Sequence, residues 1–402
     1  MYDSKYNTKN HSRLAERSEN MLQELTAQIK SAKNELQANH YFQTYSKAAV
    51  SKLPLLSKAI VDKTVSEMES TGYQFEKKTA GTAQKYTMTI NNIIDIYAYR
   101  KIDKYRDRYD DAFTVFIGNL KGGVSKTVST VSLAHGLRTH PTLLHADLRI
   151  LVIDLDPQSS ATMFLNHEHS IGYVEETAAQ AMLQNLPRQT LLDEFIVGSG
   201  VPGVDLMPAS IDDAFIASKW EELCAEHLPE QSIYSVLKKN VIDKISGDYD
   251  FILIDSGPHL DAYLMNALGA ANLLLTPIPP AQVDFHSTLK YLTRLPELLS
   301  LLEADGCDDN IMGHIGFMSK LANKSDHKIC HSLAKEIFGG DMLDAVLPRR
   351  DGFERSGETY DTVFSINPVN YVGSTEALKE ARSSAYIFAK SFYDRIEFIR
   401  AN

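Results

Sequence analysis

The 402-residue chain has only 3 cysteines, Cys224, Cys307 and Cys330, scattered and odd in number. No disulfide framework, CxxC pair or zinc spacing can be assembled from them, so a reducing cytoplasm is the expected compartment. The polar stretch MYDSKYNTKNHSR has no apolar run behind it, and no signal peptide is expected. Nowhere does the chain approach the ~20 apolar residues needed to span a bilayer. Internal repeats and low-complexity tracts are missing. No HxxxH or HExxH pair is expected on a helix, and histidines such as His11, His40, His286 and His331 are read singly as core or surface residues. Positive charge is not in excess either. The net is −11, which taken whole argues against a nucleic-acid binder.

What is present is an ordinary globular composition, 44% hydrophobic and 23% charged, long enough for two or three domains. The charge is unevenly spread. Residues 1–110 carry 18 Lys and Arg against 13 Asp and Glu, whereas the remainder carries 23 against 39. Such a split assigns different work to the two parts.

Residues 1–12 are expected to be disordered. Leu14, Ser18, Leu22, Leu25, Ile29, Ala32 and Leu36 then recur at three- and four-residue spacing, a helical stripe near the heptad period. It suits either a dimerisation helix or a helix docking on its own domain. In the segment that follows, Pro54 is placed to start one helix. Ser57 or Asp62 can cap another bearing Ile60, Val61, Val65 and Met68, which Gly72 ends. Tyr73–Phe75 and Tyr86–Ile90 alternate like two hairpin strands around the basic loop KKTAGTAQK. Two helices and a basic-tipped hairpin outline a winged helix-turn-helix. Its candidate DNA contacts are Lys58, Lys63, Lys77, Lys78 and Lys85; an adaptor without a DNA role is the competing reading. KIDKYRDRYDD, at 101–111, lacks apolar periodicity and reads as a linker. The expected division is an N-terminal dimerisation helix at 1–45, a winged helix-turn-helix at 46–108 and an ATPase domain at 109–402.

From Ala112 the pattern becomes α/β. AFTVFIGNL, RILVIDLD, YDFILIDS, NLLLTPIP, GHIGFM and DAVLP are short runs rich in aliphatic residues, separated by helical stretches. Buried parallel strands read this way, and the alternation predicts a doubly wound, mostly parallel sheet. The first strand runs into KGGVSKTVSTVSLAHGL. Gly122 and Gly123 permit a tight turn whose N–H groups, with those of Val124, Ser125 and Val128, can face a polyphosphate. Lys126 can reach the β and γ phosphates, the Thr127 hydroxyl can ligate Mg²⁺, and the following helix turns its positive end to the anion. The general phosphate loop GxxxxGK[ST] would need glycines where this chain has Leu120 and Ser125; it has instead a second lysine, Lys121. Two acidic strand ends converge on the same place. Asp154 and Asp156 close one strand and Asp255 another, and open parallel sheets bind ligands beyond such ends. Asp255 suits Mg²⁺ held through water, and Asp156 suits the positioning of an attacking water. His259 follows in a Ser-Gly-Pro turn that could sense the γ-phosphate.

KGGVSKT, DLDPQSSAT and IDSGP, in that order, resemble the deviant Walker A and acidic motifs of the ParA/MinD ATPases, and of the large ParA partition ATPases of plasmids and phage plasmid prophages in particular. The resemblance covers residues 112–402 by motif. It implies weak ATP hydrolysis to ADP and phosphate, and a homodimer formed on ATP. Lys121 would reach the partner's phosphates, with Lys126 and Asp156 acting within the subunit and Asp255 beside Mg²⁺. It also implies nonspecific DNA binding, stimulation by a centromere-bound ParB, autorepression at an operator, and a nucleoid-associated cytoplasmic protein. In VLPRRDGFER it assigns Pro348 to adenine and Arg349, Arg350 and Arg355 to DNA, while Met318-Ser319-Lys320 departs from the family pattern and leaves adenine contacts from that stretch open. Ser125 departs from the family's glycine and Val128 from a common hydroxyl residue. Iron–sulfur relatives need cysteines that none of the three supplies. MinD-type relatives end in a membrane-targeting helix. Here Ala385, Phe388, Ala389, Phe392, Ile396 and Ile399 share one face, but Asp394 and Glu397 mix with Lys390, Arg395 and Arg400 on the other. A packed core helix is expected, with no membrane partner. A nucleotide-regulated repressor without significant turnover is the remaining alternative.

Overall fold

A computed structural model describes residues 4–35, 41–80, 83–170 and 174–401. The N-terminal helix runs Ser4–Glu35, so helix already covers most of the stretch expected to be disordered. Leu14, Met21, Leu22 and Leu25 are exposed along it. Leu36, the last position of the expected stripe, lies outside the described residues.

The next unit begins with a single turn, Lys47–Val50, capped by Ser46. Pro54 does not start a helix; it sits in the turn that follows, where its carbonyl accepts from Tyr97 Oη at 2.7 Å. The helix Lys58–Ser70 is as expected: Ser57 caps it by accepting from the Ile60 N–H, and Gly72 follows its end at φ +96°. The hairpin strands lie elsewhere than expected. They are β1 (Lys77–Ala80) and β2 (Ala83–Tyr86), so the lysines stand on the strands rather than in a loop between them. A third helix, Ile90–Tyr99, occupies the end of the expected second strand and beyond. Four isoleucines bias the segment towards strand. Yet Thr89 and Asn92 form a reciprocal capping box, and Ile90, Ile93, Ile94 and Tyr97 return at helical spacing to a common buried core.

The 101–111 linker is no loose tether. Tyr105 is buried against Phe251 and Tyr393, and Arg400 lies over the Tyr109 ring at 3.8 Å. Lys104 and Arg106 both meet Asp147, at 2.8 and 3.3 Å.

The remaining strands are β3 (Phe113–Ile117), β4 (Ile150–Asp154), β5 (Val197–Gly198), β6 (Val204–Met207), β7 (Phe251–Asp255), β8 (Leu273–Ile278), β9 (Gly313–Leu321) and β10 (Leu347–Pro348). They form one eight-stranded sheet in the order β10-β9-β8-β3-β7-β4-β6-β5. All pairs are parallel except β5 with β6. β3, β4, β7 and β8 are buried at every position, as strands covered on both faces must be. On one face the helix Lys126–Thr139 packs against the C-terminal helix Thr375–Ala401 so closely that a Cβ on Gly136 would lie 2.9 Å from that of Ala389. Ala385, Phe388, Ala389, Phe392 and Ile396 are all buried there. That apolar face is core, and among the described residues no helix is long and apolar enough to cross a membrane.

Candidate nucleotide site

The sheet register assembles the site. Asp255 ends β7 level with Ile117 of β3 on one side and Asp154 of β4 on the other. The phosphate loop therefore leaves β3 directly beside two carboxylates. Gly123 and Ser125 both have positive φ, +74° and +73°. Glycine adopts this freely, but serine in the left-handed region costs about 1–2 kcal/mol.

Thr127 Oγ1 donates to Asp255 at 2.7 Å, and Thr130 Oγ1 approaches the other carboxylate oxygen at 3.3 Å. Lys126 is buried and donates to the Lys121 carbonyl at 3.2 Å. Burial lowers its pKa, against the opposing charges of Asp255 and Asp156. Asp154, also fully buried, accepts from both the N–H and hydroxyl of Thr162 at 2.8 Å and from the Asp156 N–H at 3.1 Å. It shapes the loop that carries Asp156. Burial drives the carboxyls of Asp154 and Asp255 upwards, and their mutual repulsion adds to it for Asp154. A cation beside them would relieve that penalty.

Lys126 and Thr127 face a cavity of about 470 Å³, within the range of small-molecule sites, with Asp154 and Asp255 buried behind them. Residues 122–128 and Asp156 line it, as do Pro348, Arg349 and Arg350 from the far edge of the sheet. Pro258, from the turn after Asp255, touches the same space. Lys121 instead points to Asp284, 3.4 Å away at the start of the helix Gln282–Ala304. Arg349 pairs with Glu354 at 3.2 Å and Arg350 with Glu380, whereas Arg355 is exposed and stands outside the cavity lining. The hairpin lysines form a separate group some 40 residues upstream. Lys58, Lys63, Lys77, Lys78 and Lys85 are all exposed; Lys77 is tied to Glu69 at 2.7 Å and lies over the Tyr86 ring, and Lys63 and Lys78 pair more loosely with Glu67 and Glu76.

Sequence reasoning gave no role at this site to Lys320, Ser319, Asp284, Phe164 or Phe353; Asp284 and Phe164 lie in no motif, and the others lie in stretches read for adenine or DNA contact. His327 and His331 do stand one turn apart on the helix Ser325–Phe338, an HxxxH pair that residue-by-residue reading overlooks. Among the described residues, however, no group of three or more His, Cys, Asp or Glu could hold a metal.

Comparison with known proteins agrees with this arrangement. A family model described as the ParA helix turn helix domain matches residues 18–109, and one described as an AAA domain matches residues 112–300. Plasmid partition protein A of Escherichia coli is 66% identical over 390 residues, covering 97% of this chain and 98% of that protein. The chain belongs to the ParA family of plasmid partition proteins. A solved structure of a partition protein superposes with a TM-score of 0.81 at 48% identity over the whole of both chains. SopA of E. coli is 25% identical over 315 residues, 76% of each chain. The ATP complex of Cyanothece McdA shares the fold alone, with a TM-score of 0.51 at 18% identity, covering 68% of this chain and 96% of that one. As a ParA-family protein, the chain joins a helix-turn-helix unit to a P-loop ATPase domain.

Proposed function

We propose that this ParA-family chain is an ATP-driven switch in plasmid segregation. ATP closes two copies into a dimer, the dimer holds nucleoid DNA without sequence preference, and ParB at the plasmid's partition site stimulates slow hydrolysis that releases it. The same chain represses its own operon through the helix-turn-helix unit. The observation that carries this reading is the convergence of Lys126, Thr127 and Asp156 on one cavity, with the buried Asp255 bonded to Thr127 behind its wall and Pro348 across it.

In this mechanism the loop N–H groups and Lys126 bind the phosphates, and Pro348 packs on the base. Thr127 and Asp255 present the hydroxyl and carboxylate oxygens that Mg²⁺ prefers, and the buried charge of Asp255 favours a cation; bound Mg²⁺ would neutralise phosphate charge. Asp156 lines the cavity and orients the attacking water. Lys121 is held to Asp284 in a pair about one-third exposed on each side, so little opposes its transfer to a partner's phosphate. Arg349, Arg350 and Arg355 supply the nonspecific DNA contacts, and Lys58, Lys63, Lys77, Lys78 and Lys85 the operator contacts.

The test is to measure the size of the protein, and its affinity for operator and random DNA, in apo, ADP and ATP states, together with phosphate release with and without DNA and ParB. ATP-dependent random-DNA binding with stimulated release supports the switch. Operator binding without stimulated turnover would leave only a nucleotide-regulated repressor.

A further inference from the structure

One wall of the nucleotide cavity is formed by the end of β9, at Met318-Ser319-Lys320, the stretch that departs from the family pattern. Ser319 is fully buried and donates its hydroxyl to the Val124 carbonyl at 2.9 Å. Lys320 lines the cavity and donates its ammonium to the Gly123 carbonyl at 2.7 Å. Two consecutive carbonyls of the phosphate loop are therefore drawn towards β9. In a trans peptide unit the C=O and the next N–H point in opposite directions. Holding these carbonyls turns the N–H groups of Val124 and Ser125 away from β9. Those are donors of the loop's anion-binding nest.

The loop needs such a hold because Ser125 stands at φ +73°, where a side chain is disfavoured. Lys320 is itself in the left-handed region, at φ +53°. Strained residues persist where their surroundings over-determine them, and they cluster at functional sites. Here one follows Val124 and the other follows Ser319, at the two ends of a hydrogen bond.

We propose that Ser319 and Lys320 are positioning residues for the phosphate loop, keeping the Val124 and Ser125 N–H groups aimed at the nucleotide and offsetting the strain at Ser125. The inference rests on the ATP-binding reading above. It makes Lys320 act through the loop rather than by touching phosphate.

The experiment is ADP titration of the full-length protein by calorimetry, with thermal melting of each apo variant alongside. Lys320 is exposed, so Lys320→Met should melt close to wild type. Its ADP affinity should fall about three- to tenfold, the range for the loss of one ordinary hydrogen bond at an exposed site, and Lys320→Arg should restore it. In a Ser125→Gly background the strain is gone, and the loss from Lys320→Met should shrink to about twofold or less. Unchanged affinity in Lys320→Met overturns the proposal. An undiminished loss in the Ser125→Gly background also overturns it, because a lysine acting directly on phosphate would behave that way. Wild-type protein that binds no ADP would instead remove the ATP reading beneath it.

Discussion

Asp147 offers the sharpest test of how the two halves of the molecule are joined. It sits just before β4 at φ +47° and accepts from three cations. Arg138, in the last turn of the phosphate-loop helix, reaches it at 2.9 Å, and Lys104 and Arg106 reach it from the linker at 2.8 and 3.3 Å. The Asp147 and Arg138 side chains are only 12% and 6% exposed. Removing one partner of a buried pair strands the other charge, at a cost of about 3–5 kcal/mol. At roughly 2–4 °C per kcal/mol for a large domain, Asp147→Asn should melt roughly 6–20 °C lower at pH 7. Asparagine tolerates the same backbone and nearly the same volume, so the change isolates the charge. Burial alone would raise the Asp147 pKa. The hydrogen bonds from Arg138 and Lys104 and the charges of Arg138 and Arg106 outweigh it, and the pKa is lowered. A carboxyl lowered on folding contributes stability above its unfolded pKa, near 4, and loses it as pH falls through the folded value. The gap between wild type and Asp147→Asn should therefore be full at pH 7 and close as the pH drops below about 4. Differential scanning fluorimetry from pH 3 to 8, with proteolysis across residues 100–111, measures both effects. A variant melting within 2 °C of wild type at pH 7, with an equally resistant linker, would refute the argument.

Four further outcomes are expected. Asp156→Ala should keep ATP-dependent dimerisation, seen by light scattering, and lose phosphate release; wild-type turnover would remove Asp156 from its role. Arg355→Ala should weaken random-DNA binding and flatten its salt dependence while leaving ATP binding intact, which anisotropy titrations at several salt concentrations would check. Phe392→Ala should destabilise the protein by about 3–5 kcal/mol, because its wholly buried ring fills the core between the sheet and the C-terminal helix. Denaturant unfolding measures that loss, and liposome co-sedimentation of wild type should show no binding.

Several features were readable because their causes are local. The phosphate loop needs Gly123 at positive φ and Lys126-Thr127 at a helix start, and those demands lie within seven residues. Aspartates after aliphatic runs mark strand ends, where the parallel sheet opens to ligand. Ser57 and Gly72 bracketed their helix by short-range hydrogen bonding and backbone freedom. The helix Ile90–Tyr99 was also legible in its period and its Thr89–Asn92 cap, but the alternation of Tyr86–Ile90 was read as a strand running into it. An overall charge of −11 concealed the basic N-terminal region until it was divided.

Other features came into being only when distant segments met. Register alone sets Asp154 level with Asp255, and nothing in either motif assigns one to shape a loop and leaves the other beside Thr127. Asp284 holds Lys121 and Lys320 holds Gly123, contacts spanning about 160 and 200 residues of chain. The linker has no apolar period because one buried tyrosine and a cluster of ion pairs fix it in place. Sequence determines what repeats or hydrogen-bonds within a turn or two of the chain. Which carbonyl, carboxylate or cation a side chain finally meets is decided by how the sheet brings strand ends together.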